Sequence, residues 1–265
     1  MRFISQDDPA LSNKQGQPLG SNLYIYCLNN PVMNVDPEGN ATESFKSMAA
    51  RHLSNNSKHW KNTSKSIIDS SGFILTQNKT KGFLFGRKPI YVVKKFWFYG
   101  WKFILVLTGY KDLLSDYNGC EWIATYNALK LLGKSVSPAD IIYWYEMNGG
   151  AVFEGQWGIY PWKVATYFRG QKYRVTDGWN KTDVNSIYNL DERIKKCSVA
   201  IITYLWFDKG PSAGAHTVAV KWNASSKTFK IYNEKQGTVL SVSSINFIMN
   251  SNNARITPIY YVLIN

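Results

Sequence analysis

The feature that most restricts how this chain can fold is a single change of hydrophobic period along it. Between residues 120 and 194 apolar residues recur at helical spacing; from 199 onward they cluster as strands. Ala124, Ala128, Leu131 and Leu132 stand at i, i+4, i+7 and i+8, and Gly133 supplies a stop. Ser137-Pro138 caps a second helix to about Met147, Pro161 opens a third that ends at Gly170, and Asp183 caps a fourth with Ile187, Leu190 and Ile194 on its apolar face. Strands are expected at 199–205, 217–222, 228–232 and 259–264, with earlier ones at 91–93 and 103–107. Helices followed by an antiparallel sheet define an α+β fold.

The chain has the material to close such a core. Of its 265 residues 45% are apolar, with ten Trp, seventeen Tyr and thirteen Phe, which excludes disorder for most of its length. Three cysteines cannot form a disulfide framework and leave at least one thiol free. The greasiest stretch, 96–110, is broken by Gly100 and Lys102 and is shorter than the ~20 residues a membrane helix needs, so no stable membrane span is expected. The N-terminus carries no apolar run of signal-peptide length. Zinc-ligand spacing, a Walker loop and a Gly-rich dinucleotide turn are all missing from the sequence, so neither metal nor cofactor is expected.

Three segments differ in character. Residues 1–39 form a small strand-turn unit built on Leu23-Tyr24-Ile25-Tyr26-Cys27-Leu28, Asn29-Asn30-Pro31 and Asp36-Pro37-Glu38-Gly39. Residues 40–82 are rich in Ser, Asn, Thr and Lys and read as a polar linker or a segment leading into the folded domain, with one poor helix near 43–53; His52 and His59 are expected to be solvated there. Residues 83–265 hold the folded domain. The net charge of +13 splits as +8 over residues 1–110 and +5 over 111–265. The catalytic candidates lie in the less basic part, which weakens a nucleic-acid role.

Chemistry concentrates at Tyr117-Asn118-Gly119-Cys120-Glu121-Trp122, where a polar turn delivers Cys120 to the first turn of an amphipathic helix. A helix N-terminus lowers a thiol pKa and offers an amide to an oxyanion. Cysteine also serves as a small buried apolar residue, and Cys120 alone fits either role. His216 opens the strand Thr217-Val218-Ala219-Val220. A hairpin pairing Trp222 with Lys227, Val220 with Phe229 and Val218 with Ile231 places Asn233 opposite His216, an oriented base. Gln156 and Trp157, in the Gly-rich loop Glu154-Gly155-Gln156-Trp157-Gly158, are candidate groove residues, as is Asn118 beside the cysteine. Cys197 and Cys27 read as structural thiols.

Two resemblances follow from these residues. RFISQDDP and NLYIYCLNNPVMNVDPEG resemble the last segment of the Rhs/YD-repeat core of bacterial polymorphic toxins and wall-associated proteins. In that family a variable C-terminal toxin domain follows such a motif, and Met1 then falls inside a longer protein. Cys120, His216 and Asn233 in chain order, with AHTVAV and FKIYN on neighbouring strands, resemble the papain-like fold and its bacteriocin-processing branch. That resemblance implies Cys120 as nucleophile, His216 as general base and Asn233 as the residue orienting it. The family's oxyanion glutamine, about six residues before the cysteine, is replaced here by Leu114, with Asn118 or the neighbourhood of Asp116 as substitutes.

Together they imply a toxin tip, secreted or displayed on the cell surface within a larger Rhs protein and acting in a target-cell cytoplasm as a cysteine hydrolase or acyltransferase. The implied partners are a target-cell protein substrate and a cognate immunity protein. The first alternative is a basic nuclease using His216 with Lys221, Lys230 or Lys235, Cys120 being structural. The second is a non-catalytic binding module.

Overall fold

The structure, a computed structural model, describes residues 34–35, 43–95, 103–151, 155–156, 158–179, 184–207, 213–235, 237–245 and 255–265. Most of the Rhs-like segment with Cys27, the Asp183 cap and Trp157 lie outside the described residues. Strands β1 (Asn34–Val35) and β2 (Glu43–Ser44) pair antiparallel and lead into α1 (Phe45–Ile67). The hairpin β3 (Leu84–Lys95) and β4 (Phe103–Leu114) precedes the single turn α2 (Ser115–Asn118) and helices α3 (Cys120–Leu131), α4 (Pro138–Met147) and α5 (Pro161–Gly170). Then come β5 (Val175–Trp179), α6 (Val184–Lys195), β6 (Val199–Phe207), β7 (Ala213–Asn223), β8 (Thr228–Lys235), β9 (Thr238–Val242) and β10 (Arg255–Ile264). Helices and antiparallel sheet make the fold α+β. Among the described residues no helix is long and apolar enough to cross a membrane.

The large sheet has six strands in the order β5-β10-β6-β7-β8-β9, every neighbour antiparallel. Alternation sorts its residues between two layers. Val199, Ile201 and Ala219 join the core around α3, while Ala200, Ile202, Val218 and Val220 pack with Leu190 and Ile194 of α6. Ser137 caps α4 as its sequence suggests, its hydroxyl accepting the Ala139 N–H.

Helix α3 is not amphipathic. Every residue from Cys120 to Leu129 is buried, because the sheet covers one side and α4 and α5 cover the other. Trp122 and Ile123 are wholly enclosed, each contributing about 1.5–3 kcal/mol by area removed from water. Two of the polar residues inside, Thr125 and Asn127, are satisfied. Thr125 Oγ1 donates to the Glu121 carbonyl and lies 2.7 Å from Tyr145 Oη. The Asn127 amide makes two bonds to the Ile74 backbone, accepting its N–H at 2.9 Å and donating to its carbonyl at 2.8 Å.

That clamp shows that the polar segment is no linker. Ile67, Ile74, Leu75 and Phe83 belong to the α3 core, and α1 runs as a 23-residue helix against α4. Its buried stripe is Met48, Ala49, His52 and Asn56, polar enough in part to hide in composition. His52 is fully buried, and His59 packs edge-on against Phe83 at 4.9 Å, so the solvated reading of both is corrected. His52 Nδ1 lies 2.7 Å from Glu146 Oε1, which also accepts the Gly86 N–H, and His52 Nε2 lies 3.1 Å from Asp112. Arg51 closes the cluster on the other side of Asp112.

The β7–β8 register also differs from the expected one. Val220 pairs with Ile231 and Trp222 with Phe229 across the turn 224–227, in which Lys227 takes φ +48°. This is two residues from the expected pairing. A two-residue slip keeps every side chain on its own face, so alternation cannot distinguish the two registers.

Candidate active site

Cys120 owes its place to the turn before it. A Cβ on Gly119 would stand 2.4 Å from the Ser115 carbonyl and 2.6 Å from Trp122 Nε1, so only glycine lets α2 close onto α3. The thiol that follows is 6% exposed. Its sulfur lies within electrostatic reach of the Thr217 N–H and hydroxyl and of the Glu121 carboxyl. Burial pushes the thiol well above its usual pKa, the Glu121 charge and hydrogen bond push the same way, and the Thr217 donors oppose them. The acidic thiol expected at a helix N-terminus is therefore reversed: desolvation outweighs the helix end.

Glu121 is 4% exposed, and burial pushes its carboxyl up to about 7 from an ordinary 4.5. Its own N–H, the Cys120 thiol and the Ile159 N–H hold that rise in check. Oε2 is buried with no hydrogen-bond partner. Above it sits the loop that carries Gln156. Asn118 Nδ2 donates to the carbonyls of Gly155 and Phe85, which ties this loop and β3 to the cysteine turn. Asn118 is thus a strap, its N–H groups occupied and its buried Oδ1 able only to accept. The strap brings the half-buried Gln156 to the α2–α3 corner, while Trp157 lies outside the described residues.

His216 and Asn233 come together through the Asn233 backbone. Asn233 takes φ +71°, where β8 leaves its ladder with β7, and its carbonyl turns to the ring. His216 Nε2 donates to that carbonyl at 2.7 Å. The Asn233 amide is buried, and its Nδ2 has no partner. With Nε2 protonated, a neutral ring keeps Nδ1 as its basic nitrogen.

The ring also packs edge-on against Tyr204, its neighbour across β6, at 5.6 Å. Tyr204 Oη donates to Glu234, and the tyrosine lies within electrostatic reach of the Cys120 sulfur. Thr217, the next residue, projects to the opposite face, onto Thr203 and the sulfur. Sulfur and imidazole therefore meet successive residues of one strand from its two faces. No hydrogen bond joins them among the described residues.

Of the lysines of the nuclease alternative, Lys221 and Lys230 do not converge on His216. Lys221 Nζ donates to the Leu131 carbonyl at the end of α3, and Lys230 Nζ to Ser241. The Lys235 side chain lies outside the described residues. Cys197 is half-buried, donates to the Ile194 carbonyl and is pushed up to about 11 by burial, as a structural thiol is. Among the described residues no group of three His, Cys, Asp or Glu side chains is placed to hold a metal ion.

Glu121, Thr217 and Gln77 are the site neighbours that the sequence did not single out. Glu121 carried a signal, an acid inside an otherwise apolar helix face next to the cysteine. Gln77 carried none, since it reaches the corner from a segment that resembles a linker, its Nε2 donating to the Asp116 carbonyl at 3.1 Å. No family model matches the chain, and a search of curated proteins returned no match.

Proposed function

We propose that the chain is the C-terminal tip of an Rhs-type polymorphic toxin and that it carries a papain-like cysteine hydrolase or acyltransferase acting on a target-cell protein. The observation that carries the enzymatic part is the seat of Cys120: a thiol on the first turn of a buried helix, within electrostatic reach of Thr217, next in the chain to His216. In this reading His216 is the base, oriented by Asn233 through its carbonyl, with its ring crossing from the Tyr204 side to reach the sulfur. The toxin assignment rests on residues 1–39, and with it come delivery from a larger secreted or surface protein and a cognate immunity protein that blocks the site.

The test is growth of a bacterial host expressing the full chain in its cytosol, wild type against Cys120→Ala, with equal accumulation shown for both. Killing by the wild type alone supports thiol chemistry. Killing by both makes Cys120 structural and moves the nuclease alternative forward. A second reading, a non-catalytic binding module, is favoured by the buried and protonated thiol; under it neither protein kills.

A further inference from the structure

Helix α1 turns a face of one charge sign to solvent. Between residues 45 and 81 the chain carries seven Lys or Arg and a single acid, Asp69. That carboxylate is engaged in its own turn, accepting the N–H groups of Ser71 and Phe73 and the Ser71 hydroxyl. Helix α1 itself contains no Asp or Glu. Its buried stripe, Met48, Ala49, His52 and Asn56, lies against α4. At ~3.6 residues per turn the ridge Ser54, Lys58, Lys61 and Lys65 points the opposite way, and all four are exposed. Lys58 and Lys61 stand at i, i+3 and Lys61 and Lys65 at i, i+4, the spacings at which like charges repel and weaken a helix. None of the three lysines is ion-paired among the described residues. Two more exposed lysines, Lys79 and Lys81, arrive beside α1 with the 3-10 turn Gln77–Thr80, since a Cβ on the following Gly82 would stand 2.0 Å from the His59 ring.

A face that is merely solvated ordinarily mixes both signs. This one asks for a polyanion. Lys58, Lys61 and Lys65 run along about 10 Å of helix axis, the length of about three phosphates of one duplex strand. The exposed Ser54, Asn55, Ser57 and Asn62 among them are side chains of the kind that donate to phosphate oxygens. Rings on which unpaired bases could stack are missing from the ridge: His59 packs against Phe83, Trp60 against Phe83 and Tyr126, and no described aromatic side chain of α1 or of the 77–80 turn is exposed. Nor does the ridge carry the aromatic or apolar anchors on which a tight protein interface or an inserted membrane helix depends. We propose that the outer ridge of α1, flanked by Lys79 and Lys81, is a docking surface for the phosphate backbone of a nucleic-acid duplex, held without base readout. It is a tether and not a reaction centre, and it stands whatever the chemistry of Cys120.

The experiment follows the fluorescence anisotropy of a labelled DNA duplex of about 20 base pairs as the full chain is added, at KCl concentrations from about 50 to 200 mM. The wild type binds, and its affinity falls steeply with salt. Lys58→Gln, Lys61→Gln and Lys65→Gln together weaken binding on the order of 100-fold at about 100 mM salt and lower the salt slope by about 3. Arg at the same three positions restores both. Gln at Lys172, Lys196 and Lys227, which removes equal charge from exposed positions elsewhere, leaves the affinity within about threefold of wild type. Thermal unfolding of each variant establishes that it is folded. No binding by the wild type at the lowest salt overturns the proposal, and so does an equal loss in the two Gln triples, which makes the attraction one of net charge alone. A labelled single strand bound more tightly than the duplex overturns it. Tighter binding to phosphatidylserine vesicles or to polyglutamate, abolished by the same ridge substitutions, overturns it in favour of a lipid surface or an acidic protein.

Discussion

Replacing His52 by Gln should remove a pH-dependent part of this protein's stability, with a size that follows from the buried cluster. Burial alone would lower the His52 pKa; the hydrogen bonds and charges of Asp112 and Glu146 outweigh it and raise it from 6.5 to about 9. At about 1.4 kcal/mol per tenfold change in proton affinity, that rise is worth about 3 kcal/mol. Because the folded value is the higher one, the contribution is complete below about pH 6.5 and is lost as pH rises through about 9. Asp112 acts at the other end. His52 and Arg51 hold it below its ordinary 3.8 against the opposing effect of burial, so its share is lost in acid. The two shifts describe partly the same contact and are not added. The assay is thermal unfolding of wild type and His52→Gln from pH 5.5 to 9.5. Taking the difference between the two cancels the titrating groups that do not touch His52, and Asp112 stays ionised across this range. That difference should be flat to about pH 6.5 and then shrink by about 3 kcal/mol, roughly 6–12 °C in Tm for a domain of this size. A difference that stays flat to pH 9.5 refutes the argument that His52 is protonated between its two acids.

Two further outcomes can be checked by the same means. Asn127→Ala removes both bonds to the Ile74 backbone and leaves its N–H and carbonyl buried, so denaturant unfolding should show a loss of about 2–4 kcal/mol; a loss below about 1 kcal/mol refutes the clamp. Glu121 has a folded pKa above its unfolded one, so its ionisation costs stability as pH rises from 4.5 toward 7. Glu121→Gln should therefore be more stable than wild type at pH 8 by about 3 kcal/mol and show no such gain at pH 4.5.

The fold class was legible because period is a local property. The capping pair Ser137-Pro138, the Pro161 start and the strands of the last third needed only their own neighbours. What escaped was whatever depended on a distant partner. His52 looked solvated because Glu146 and Asp112, the acids that enclose it, arrive from α4 and β4. The β7–β8 register escaped because both pairings satisfy the same alternation and the turn conformation at Lys227 decides between them. The cysteine turn could be read from Asn118-Gly119-Cys120, yet the thiol's protonation could not, since it depends on how deeply the sheet and the 155–159 loop bury it.

The union of α1 with α4 bears on how such a module could be set free from a longer chain. Composition places a boundary near residue 82, but a fragment cut there would strip Met48, Ala49 and His52 from the surface they cover. It would also leave Glu146 and Asp112 without their histidine, and α3 without the Ile74 clamp. If the module is released as the proposed toxin reading holds, a cut that leaves the unit intact falls upstream of Phe45, and a trap for the freed piece is built around a new N-terminus there rather than at residue 83.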